Sequence, residues 1–527
     1  MVRLFANGVI ATMDPTRPRA EAVACDDQGS IVAVGDMADL RGLAVRPSDI
    51  VDLGGRRVVP GFIDVHIHLT ALGQSLSYVN LEGASGAAEC AARLGAHLNS
   101  TPPPPGAWLV GSLWNRDTWS EGATTWPTAG DLDAFTGGRP TVVRSKDLHM
   151  VWANSAALRA AGIDASTPDP SGGHIVRDPD GTPSGVLQEN AMALLFAAMP
   201  PLTAEEQDAA VERALGHVLA LGVTGVGSFE GMACWRSLDR LRGRGELAVR
   251  ANTHIAKEEL DAVLAAGIRS GDGDEWLRVC HYKLFADGAL GSRTAAMLEP
   301  YDDAPGRGIV TLSGEEIGVL TRRAAAGGVA SAVHAIGDSA NRAVLHALAG
   351  AGRIAAMPHR VEHAQVLHPD DLPLFARHGI VASMQPVHMV GDRDVAIGAW
   401  GKRAALSYAW RPILESGTVL SFGSDAPVET ADPLLGLYAA VARHGRDDGR
   451  DSWRPELGLT VQQALHAYTV GAAMATGESE TKGVLKPGAV ADMAVLSHDI
   501  FDGDEALAQA RVVSVIVGGQ LTEVAAP

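Results

Sequence analysis

The chain has 527 residues, 46% of them apolar, which is enough for two or three domains or for one large barrel with additions. The 62 acidic residues outnumber the 43 basic ones, and no basic cluster is present, which argues against a nucleic-acid partner. The 4 cysteines have no Cys-x-x-Cys spacing, and no apolar run is long enough to span a membrane, so we expect a cytoplasmic protein without disulfides or a cysteine-type zinc site.

The two ends of the chain share a pattern of short apolar runs separated by turn residues, which is typical of small antiparallel sheets. These runs are Leu4–Ala6, Ala22–Cys25, Ile31–Gly35, Ala491–Leu496 and Val512–Val517. Because chain termini tend to lie close together in compact proteins, we predict that residues 1–57 and 483–527 jointly form one composite β-sandwich domain.

Between the two ends, β-type apolar runs alternate with helical stretches such as 203–221, 314–327 and 339–351, the pattern of a parallel α/β architecture. The predicted strands are 58–69, 222–227, 247–252, 278–285, 328–334, 360–363, 380–384 and 418–425. Eight strands close a (β/α)8 TIM-type barrel, which we predict for residues 58–69 and 206–482.

Residues 70–205 form a gap that is too long for one crossover between barrel strands. This segment has a proline-rich run at Pro102–Pro105, several tryptophans and a helical piece near Asn154–Ala161. We therefore predict an inserted subdomain after the first barrel strand, beside the mouth of the barrel.

The first predicted barrel strand carries His66 and His68 two residues apart. On a strand, residues i and i+2 point to the same face, so two neutral imidazoles could share one metal ion. Such a pair is more often incidental or hydrogen-bonded within a core, so the hypothesis needs further ligands elsewhere in the chain.

Four later strands end on, or close to, residues that could contribute to a metal site. Barrel enzymes carry their active groups at the carboxyl ends of the strands. The complete set comprises four imidazoles, one carboxylate and one lysine: His66, His68, Lys283, His334, His363 and Asp425. We predict that these side chains converge at one mouth of the barrel.

The sequence resembles the amidohydrolase superfamily of metal-dependent hydrolases at Pro60–His68, Lys283, His334, His363 and Ser424–Pro427. The finer resemblance is to the YtcJ-like branch, which includes N-substituted formamide deformylases, and it lies in Lys283–Thr294, His334–Asp338 and Val361–Gln365. It extends over nearly the whole chain, including residues 168–173 and 185–190 of the insertion.

The resemblance implies a site with one or two divalent ions, most often zinc. His66, His68 and Asp425 would hold the more buried ion, and His334 and His363 would hold the second. The implied reaction is hydrolysis of a C–N bond by a metal-activated hydroxide, with Asp425 as general base and then general acid.

Lys283 needs a separate explanation, because an ammonium group has no lone pair with which to bind a cation. In superfamily members with a lysine at this position, the amine reacts with carbon dioxide to form a carbamate. The resemblance therefore implies that Lys283 is carboxylated, and the alternative is an ordinary salt bridge at a strand end.

We expect a small-molecule amide as substrate, with N-substituted formamides or N-acyl amines as first candidates, no nucleic-acid or membrane partner, and a homodimer as one possible assembly. Deaminases and hydrolases of cyclic amides or carbamates use the same scaffold, and a non-catalytic regulatory or ligand-binding protein is a further alternative.

Two acidic residues near the ligands have several interpretations. Glu362 adjoins His363 but should face the other way on a strand, so we assign it a supporting or structural role. Asp338 either orients an imidazole or caps the helix that follows.

Three residues are candidates for substrate binding: Trp114, His149 and Arg293. Trp114 matches a family Gly-Trp-Asp segment in which this chain has Leu113 and Asn115, and His149 matches an Asp-Gly-His segment in which Leu148 replaces the glycine. His149 contacts the substrate, stabilises an oxyanion or is structural. Arg293 binds either a substrate carboxylate or an internal acid such as Asp287.

Overall fold

The structure is a computed structural model that describes residues 2–44, 46–116, 119, 126–146 and 149–524, so Leu148 lies outside the described residues. The chain forms two compact units. The larger comprises Met1–Leu72 and Gln207–Pro527, and the smaller comprises Gly73–Glu206.

Eight parallel strands form the central sheet of the larger unit, paired in chain order. They are β1 (Phe62–Ile67), β2 (Val223–Ser228), β3 (Arg250–Ile255), β4 (Leu277–Phe285), β5 (Ser331–Ala335), β6 (Arg360–His363), β7 (Val381–Met384) and β8 (Leu420–Phe422). The sheet nearly closes on itself, because the Asp425 N–H donates to the His66 carbonyl at 2.7 Å. The predicted TIM-type barrel is confirmed.

Most residues of the barrel strands are buried, because helices cover the outer face of the sheet. Every residue of β1 and β3 is buried. Gly314–Ala326 illustrates how the sequence sets a helix: Ser313 and Glu316 form a capping box at its start, and Ile317, Thr321 and Ala324 are on its buried face.

The α-helices of the larger unit are Met37–Leu40, Leu69–Ser75, Ala204–Ala220, Gly231–Arg244, Leu260–Ala265, Gly314–Ala326, Asp338–Ala351, Leu372–His378, His388–Trp400, Trp410–Glu415, Pro433–Ala442, Val461–Tyr468, Val470–Ala475 and Asp504–Gln509. None of the helices in the described part of the chain is long and apolar enough to cross a membrane.

The two ends of the chain build two further sheets. In pairing order, one contains Ile31–Gly35, Ala22–Cys25, Arg3–Ala6 and Ile50–Asp52, and the other contains Gln520–Glu523, Val512–Val517, Met493–Leu496, Arg57–Pro60, Val9–Ala11 and Arg19–Ala20. The second sheet combines both ends, with Val58 opposite Val495. Phe5, Val23 and Ile516 belong to one buried apolar cluster of this region, and the predicted composite sandwich is confirmed.

The run Val58–Leu69 was predicted to be one strand, but the structure divides it into two. Arg57–Pro60 belongs to a terminal sheet and Phe62–Ile67 to the barrel, so the chain passes between them at Gly61. A Cβ atom on Gly61 would lie 2.1 Å from the Thr224 hydroxyl oxygen, which leaves no room for a side chain. The prediction missed this break because the apolar pattern continues through it.

The smaller unit has its own six-stranded sheet, in the order Gly173–Arg177, Pro183–Glu189, Met150–Ala153, Thr141–Ser145, Leu109–Trp114 and Val79–Asn80. Its α-helices are Ala87–Ser100, Ala129–Thr136, Ser155–Ala160 and Met192–Phe196. Trp114, Trp119 and Trp152 pack against one another with ring centroids 5.6–6.3 Å apart, so these tryptophans form part of the unit's core.

Gly61→Ala should destabilise the larger unit by about 1–3 kcal/mol, because the new methyl group would push Thr224 out of its packed position. Thermal unfolding monitored by circular dichroism measures this. Gly216→Ala is the matched control, since that glycine lies in a helix with nothing near its Cβ direction, and alanine should be neutral or stabilising there. Equal melting temperatures for Gly61→Ala and the wild type would contradict the packing argument.

Candidate metal centre

His66 and His68, at the end of β1, both direct Nε2 toward one carboxylate oxygen of Asp425. The distances to Asp425 Oδ1 are 3.4 Å from His66 and 3.1 Å from His68. Asp425 follows β8 with φ of 60°, and this left-handed conformation turns its side chain toward β1 across the barrel seam. His66 is fully buried, whereas His68 is 29% exposed.

His66 is held as a neutral imidazole with its hydrogen on Nδ1. This nitrogen lies 2.8 Å from Glu362 Oε2, which can only accept a hydrogen bond when ionised. Burial, with the nearby charge of Lys283, lowers the pKa of His66 to about 4. The lone pair of Nε2 therefore faces the Asp425 oxygen, and two acceptors this close call for a cation between them.

His363 and His334 also have one ring nitrogen committed to a neighbour. His363 Nδ1 lies 2.8 Å from the Gln385 side-chain oxygen, and His334 Nε2 donates to the Gly288 carbonyl at 2.9 Å. His363 Nε2 and His334 Nδ1 consequently retain lone pairs for a metal ion. The ring centroids of His334 and His363 are 4.5 Å apart.

The donor set fits a divalent metal ion. Ligand atoms of His66, His363 and Asp425 all lie within 4.8 Å of one another. Neutral imidazoles combined with a carboxylate are ligands that zinc and similar divalent ions accept. His68 and His334 contact this group through Asp425 and His363, so the structure brings together all five predicted metal ligands other than the lysine.

Lys283 lies on β4 and is 4% exposed. Its Nζ is 4.3 Å from the ring centroid of Phe229 and 4.7 Å from that of Phe285, and it has no salt bridge within the described part of the chain. Burial lowers the pKa of Lys283 to about 8, even though Glu362 and Asp425 favour its charged form. An uncharged amine is therefore accessible near neutral pH.

Glu362 was expected to point away from the metal site, and the structure corrects this. Its carboxylate accepts from Arg360 Nε at 2.8 Å as well as contacting His66, and all three side chains are buried. Strand alternation fails here because His363 has φ of 73°, which redirects the chain at the end of β6. The spacing of Arg360 and Glu362, two residues apart on one strand, could have indicated that both side chains lie on the same inward face of the sheet.

Asp287, rather than Asp338, is the acid beside a metal-site histidine. Its carboxylate accepts from three backbone N–H groups, those of Ala296, Ile336 and Gly337, and lies 3.5 Å from His334 Nε2. Burial raises its pKa to about 7. Asp338 accepts from the Leu298 N–H at 2.8 Å instead.

Three further residues around the site were missed by the sequence analysis: Phe229, Gln385 and His388. Phe229 packs on His66 with centroids 4.0 Å apart, and His388 Nε2 lies 3.7 Å from Asp425 Oδ2. Gln385 directly follows β7, and the predicted metal ligands also lie at strand ends. Its place in the sequence could therefore have indicated that it lies near the site.

Arg293, predicted to bind a carboxylate, pairs with Asp303 at 2.6 Å and not with Asp287. Trp114 is fully buried in the smaller unit, where its indole N–H donates to the Val143 carbonyl at 3.2 Å. His149 is half exposed, contacts Glu189 at 3.0 Å, and lines a surface cavity of about 460 Å³ in the smaller unit. Substrate binding by these residues stays a prediction.

A second group of potential ligands, His254, Cys280 and His281, lies elsewhere on β3 and β4. His281 Nε2 donates to the Pro358 carbonyl at 2.8 Å, so its Nδ1 accepts from the Cys280 thiol at 3.1 Å. His254 Nδ1 accepts from the His281 N–H at 3.4 Å. Internal hydrogen bonds thus use these lone pairs, and the group needs no metal ion.

A barrel with histidines and an aspartate at its strand ends is the arrangement of metal-dependent hydrolases. The sequence profile of the amidohydrolase family matches residues 49–522. The chain belongs to the amidohydrolase family.

Individual relatives agree with this assignment. The chain is 32% identical to the YtcJ protein of Bacillus subtilis (strain 168), covering 99% of each chain. It is 29% identical to the N-substituted formamide deformylase of Arthrobacter pascens, covering 98% of this chain and 97% of that protein. These matches confirm the YtcJ-like resemblance predicted from the sequence.

Among solved structures, an uncharacterized metal-dependent hydrolase from Pyrococcus horikoshii OT3 superposes with a TM-score of 0.80 at 28% identity. The match covers 96% of this chain and 99% of that one.

Glu362→Gln should weaken metal binding by about 10–100-fold, because the amide no longer fixes the Nδ1–H form of His66 by a charged hydrogen bond. Titration of metal-free protein with Zn²⁺ in competition with a chromophoric chelator measures the dissociation constant. Glu315→Gln, in the first turn of an outer helix, is the control and should bind like the wild type. Unchanged affinity in Glu362→Gln would show that the Glu362–His66 contact does not support the site.

Proposed function

We propose that the protein is a metal-dependent amidohydrolase that cleaves the C–N bond of a small amide, with N-substituted formamides or N-acyl amines as the substrate class. The observation that carries the proposal is the group of uncharged imidazole nitrogens around the carboxylate of Asp425. Similarity to an N-substituted formamide deformylase over nearly the whole chain supports the substrate class.

His66, His68 and Asp425 would hold one divalent ion, zinc in our proposal, and His334 and His363 would hold a second. Bound ions of this kind lower the pKa of water to near neutrality and polarise a carbonyl group.

Lys283 would complete the site as a carbamate. Its amine nitrogen attacks the carbon of carbon dioxide and loses a proton, which replaces a buried cation with an anion that has two oxygen donors. The burial of Lys283 and its lack of an ion pair with the described residues support this modification, because both favour the reactive uncharged amine.

Asp425 would take the proton of the attacking water and deliver it to the departing amine. Its two oxygens have different surroundings. Oδ1 faces His66 and His68, whereas Oδ2 lies on the other side, 3.7 Å from His388 Nε2. Asp425 Oδ2, which does not face His66 or His68, would therefore be the oxygen that transfers the proton.

An apolar side chain beside the ligands supports a substrate with a hydrophobic substituent. Phe285, at the end of β4, is 47% exposed although it is large and apolar. Its ring centroid is 5.4 Å from that of His334. Exposed apolar surface next to polar reactive groups is typical of a small-molecule site.

Asp425→Asn should lower turnover by about 10²–10⁴-fold, because the amide cannot accept the proton of the nucleophile. Steady-state hydrolysis of a panel of N-formyl and N-acyl amines by zinc-loaded protein provides the measurement, and metal content is determined on the same samples. Asp502→Asn, at an exposed position, is the control.

The same panel separates the alternatives. Activity on cyclic amides, carbamates or amino-substituted heterocycles, but not on N-formyl or N-acyl amines, would replace the proposed substrate class. Full turnover in Asp425→Asn would exclude its assigned role. Carefully purified wild-type protein without bound metal or hydrolytic activity would favour a non-catalytic regulatory or ligand-binding protein.

Lys283 should become more reactive toward carbon dioxide as the pH rises through about 8, because the fraction of uncharged amine increases over this range. Carbon-13-labelled bicarbonate followed by NMR should give a carbamate signal that grows from pH 7 to pH 9 in zinc-loaded protein. The signal should be absent from Lys283→Met, and it should be retained in Lys402→Met. A signal of equal size in Lys283→Met would rule out carboxylation at this residue.

A further inference from the structure

His388 is a buried histidine beside the metal centre that the proposed reaction does not yet use. It is the first residue of the helix His388–Trp400, which begins shortly after β7. Its side chain is 10% exposed, and its ring centroid is 6.2 Å from that of His363.

The Nε2 atom of His388 is buried and has no hydrogen-bond partner among the described residues. Its nearest acidic oxygen is Asp425 Oδ2, which at 3.7 Å is beyond hydrogen-bond distance. Buried polar atoms are almost always paired, so an orphaned one at a reactive centre indicates a partner that arrives with the ligand.

The neighbouring acids do not supply that partner. Asp392, one turn further along the same helix, accepts a hydrogen bond from the Tyr408 hydroxyl. Glu429 lies in the segment that follows β8, and no hydrogen bond joins it to His388 within the described part of the chain.

The position of His388 relative to Asp425 defines which substrate atom it could reach. Asp425 Oδ1 faces the metal-site imidazoles, and Oδ2 faces His388. A substrate that receives its nucleophile and proton from the Asp425 side therefore places its scissile amide within reach of both side chains.

We propose that His388 is a further catalytic residue, whose Nε2–H donates a hydrogen bond to the carbonyl oxygen of the scissile amide. The bond strengthens as negative charge develops on that oxygen in the tetrahedral transition state. The hydrogen bond strengthens without transfer of the Nε2 proton to the substrate. This inference rests on the proposed amide hydrolysis.

His388→Leu should lower kcat by about 10²–10³-fold with little change in KM, because the donor acts mainly in the transition state. His388→Gln places an amide N–H donor near the position of Nε2, and its kcat should be at least about tenfold higher than that of His388→Leu. His346→Gln, at an exposed position on an outer helix, is the matched control.

A binding measurement tests the donor without relying on turnover. Methylphosphonate, a tetrahedral oxyanion, is titrated into zinc-loaded wild type, His388→Leu and His388→Gln by calorimetry. We expect the dissociation constant to rise at least about tenfold in His388→Leu and less in His388→Gln. Melting temperature and zinc content, measured on each sample, should match the wild type, since His388 is not assigned to the metal.

The kinetic and binding experiments together distinguish the failure of this inference from the failure of the proposed function. If the wild type hydrolyses no amide but binds methylphosphonate in a His388-dependent way, the reaction is wrong and the donor assignment stands. Equal dissociation constants in wild type and His388→Leu, no methylphosphonate binding by the zinc-loaded wild type, or loss of zinc together with activity would overturn the assignment.

Discussion

The metal centre depends on one buried chain of hydrogen bonds from Arg360 through Glu362 to His66. All three side chains are removed from water, and an ionised carboxylate in that position is stable only with a charged partner. Burial alone would raise the pKa of Glu362, but Arg360, His66 and Lys283 together outweigh burial and hold the pKa well below its usual value. Glu362 therefore stays an acceptor, which fixes the hydrogen of His66 on Nδ1 and leaves Nε2 free for a metal ion.

The barrel seam supplies the second half of the centre. Asp64, on β1, accepts from the backbone N–H groups of His66 and Ser424 at 3.1 and 3.0 Å, which joins β1 to the segment after β8. The Asp425 N–H donates across the same seam. The closure of the sheet and the position of the Asp425 carboxylate are thus one structural feature, so the fold itself brings the first and last ligands together.

Much of this arrangement was predictable from the sequence, because it follows strand periodicity. The alternation of apolar runs and helices gave the barrel, and the rule that active groups lie at strand ends selected His334, His363 and Asp425. Periodicity fails where the backbone leaves the strand conformation. The positive φ angle of His363 accompanies the inward orientation of Glu362, and that of Asp425 turns its carboxylate toward β1.

Other features lie outside any local pattern. The first predicted strand divides at Gly61, which packs so closely on Thr224, a residue far away in sequence, that no side chain fits there. The acid beside His334 is Asp287 rather than Asp338, and three backbone N–H groups from two separate segments hold its carboxylate there. Such contacts exist only in the folded chain, so single-sequence reasoning has no signal for them.

The two buried histidine groups of this barrel differ in what their hydrogen bonds leave unused. In the group of His254, Cys280 and His281, each assigned lone pair accepts a hydrogen from a neighbour. Around Asp425, Glu362 and Gln385 accept hydrogen bonds from the Nδ1–H groups of His66 and His363 instead. The lone pair of His66 Nε2 is then left facing an Asp425 oxygen, which is also an acceptor. Proximity of ligand atoms is common to both groups, whereas only the second has a physical need for a cation. The pattern of donors around a cluster, more than the distances within it, therefore identifies the metal centre.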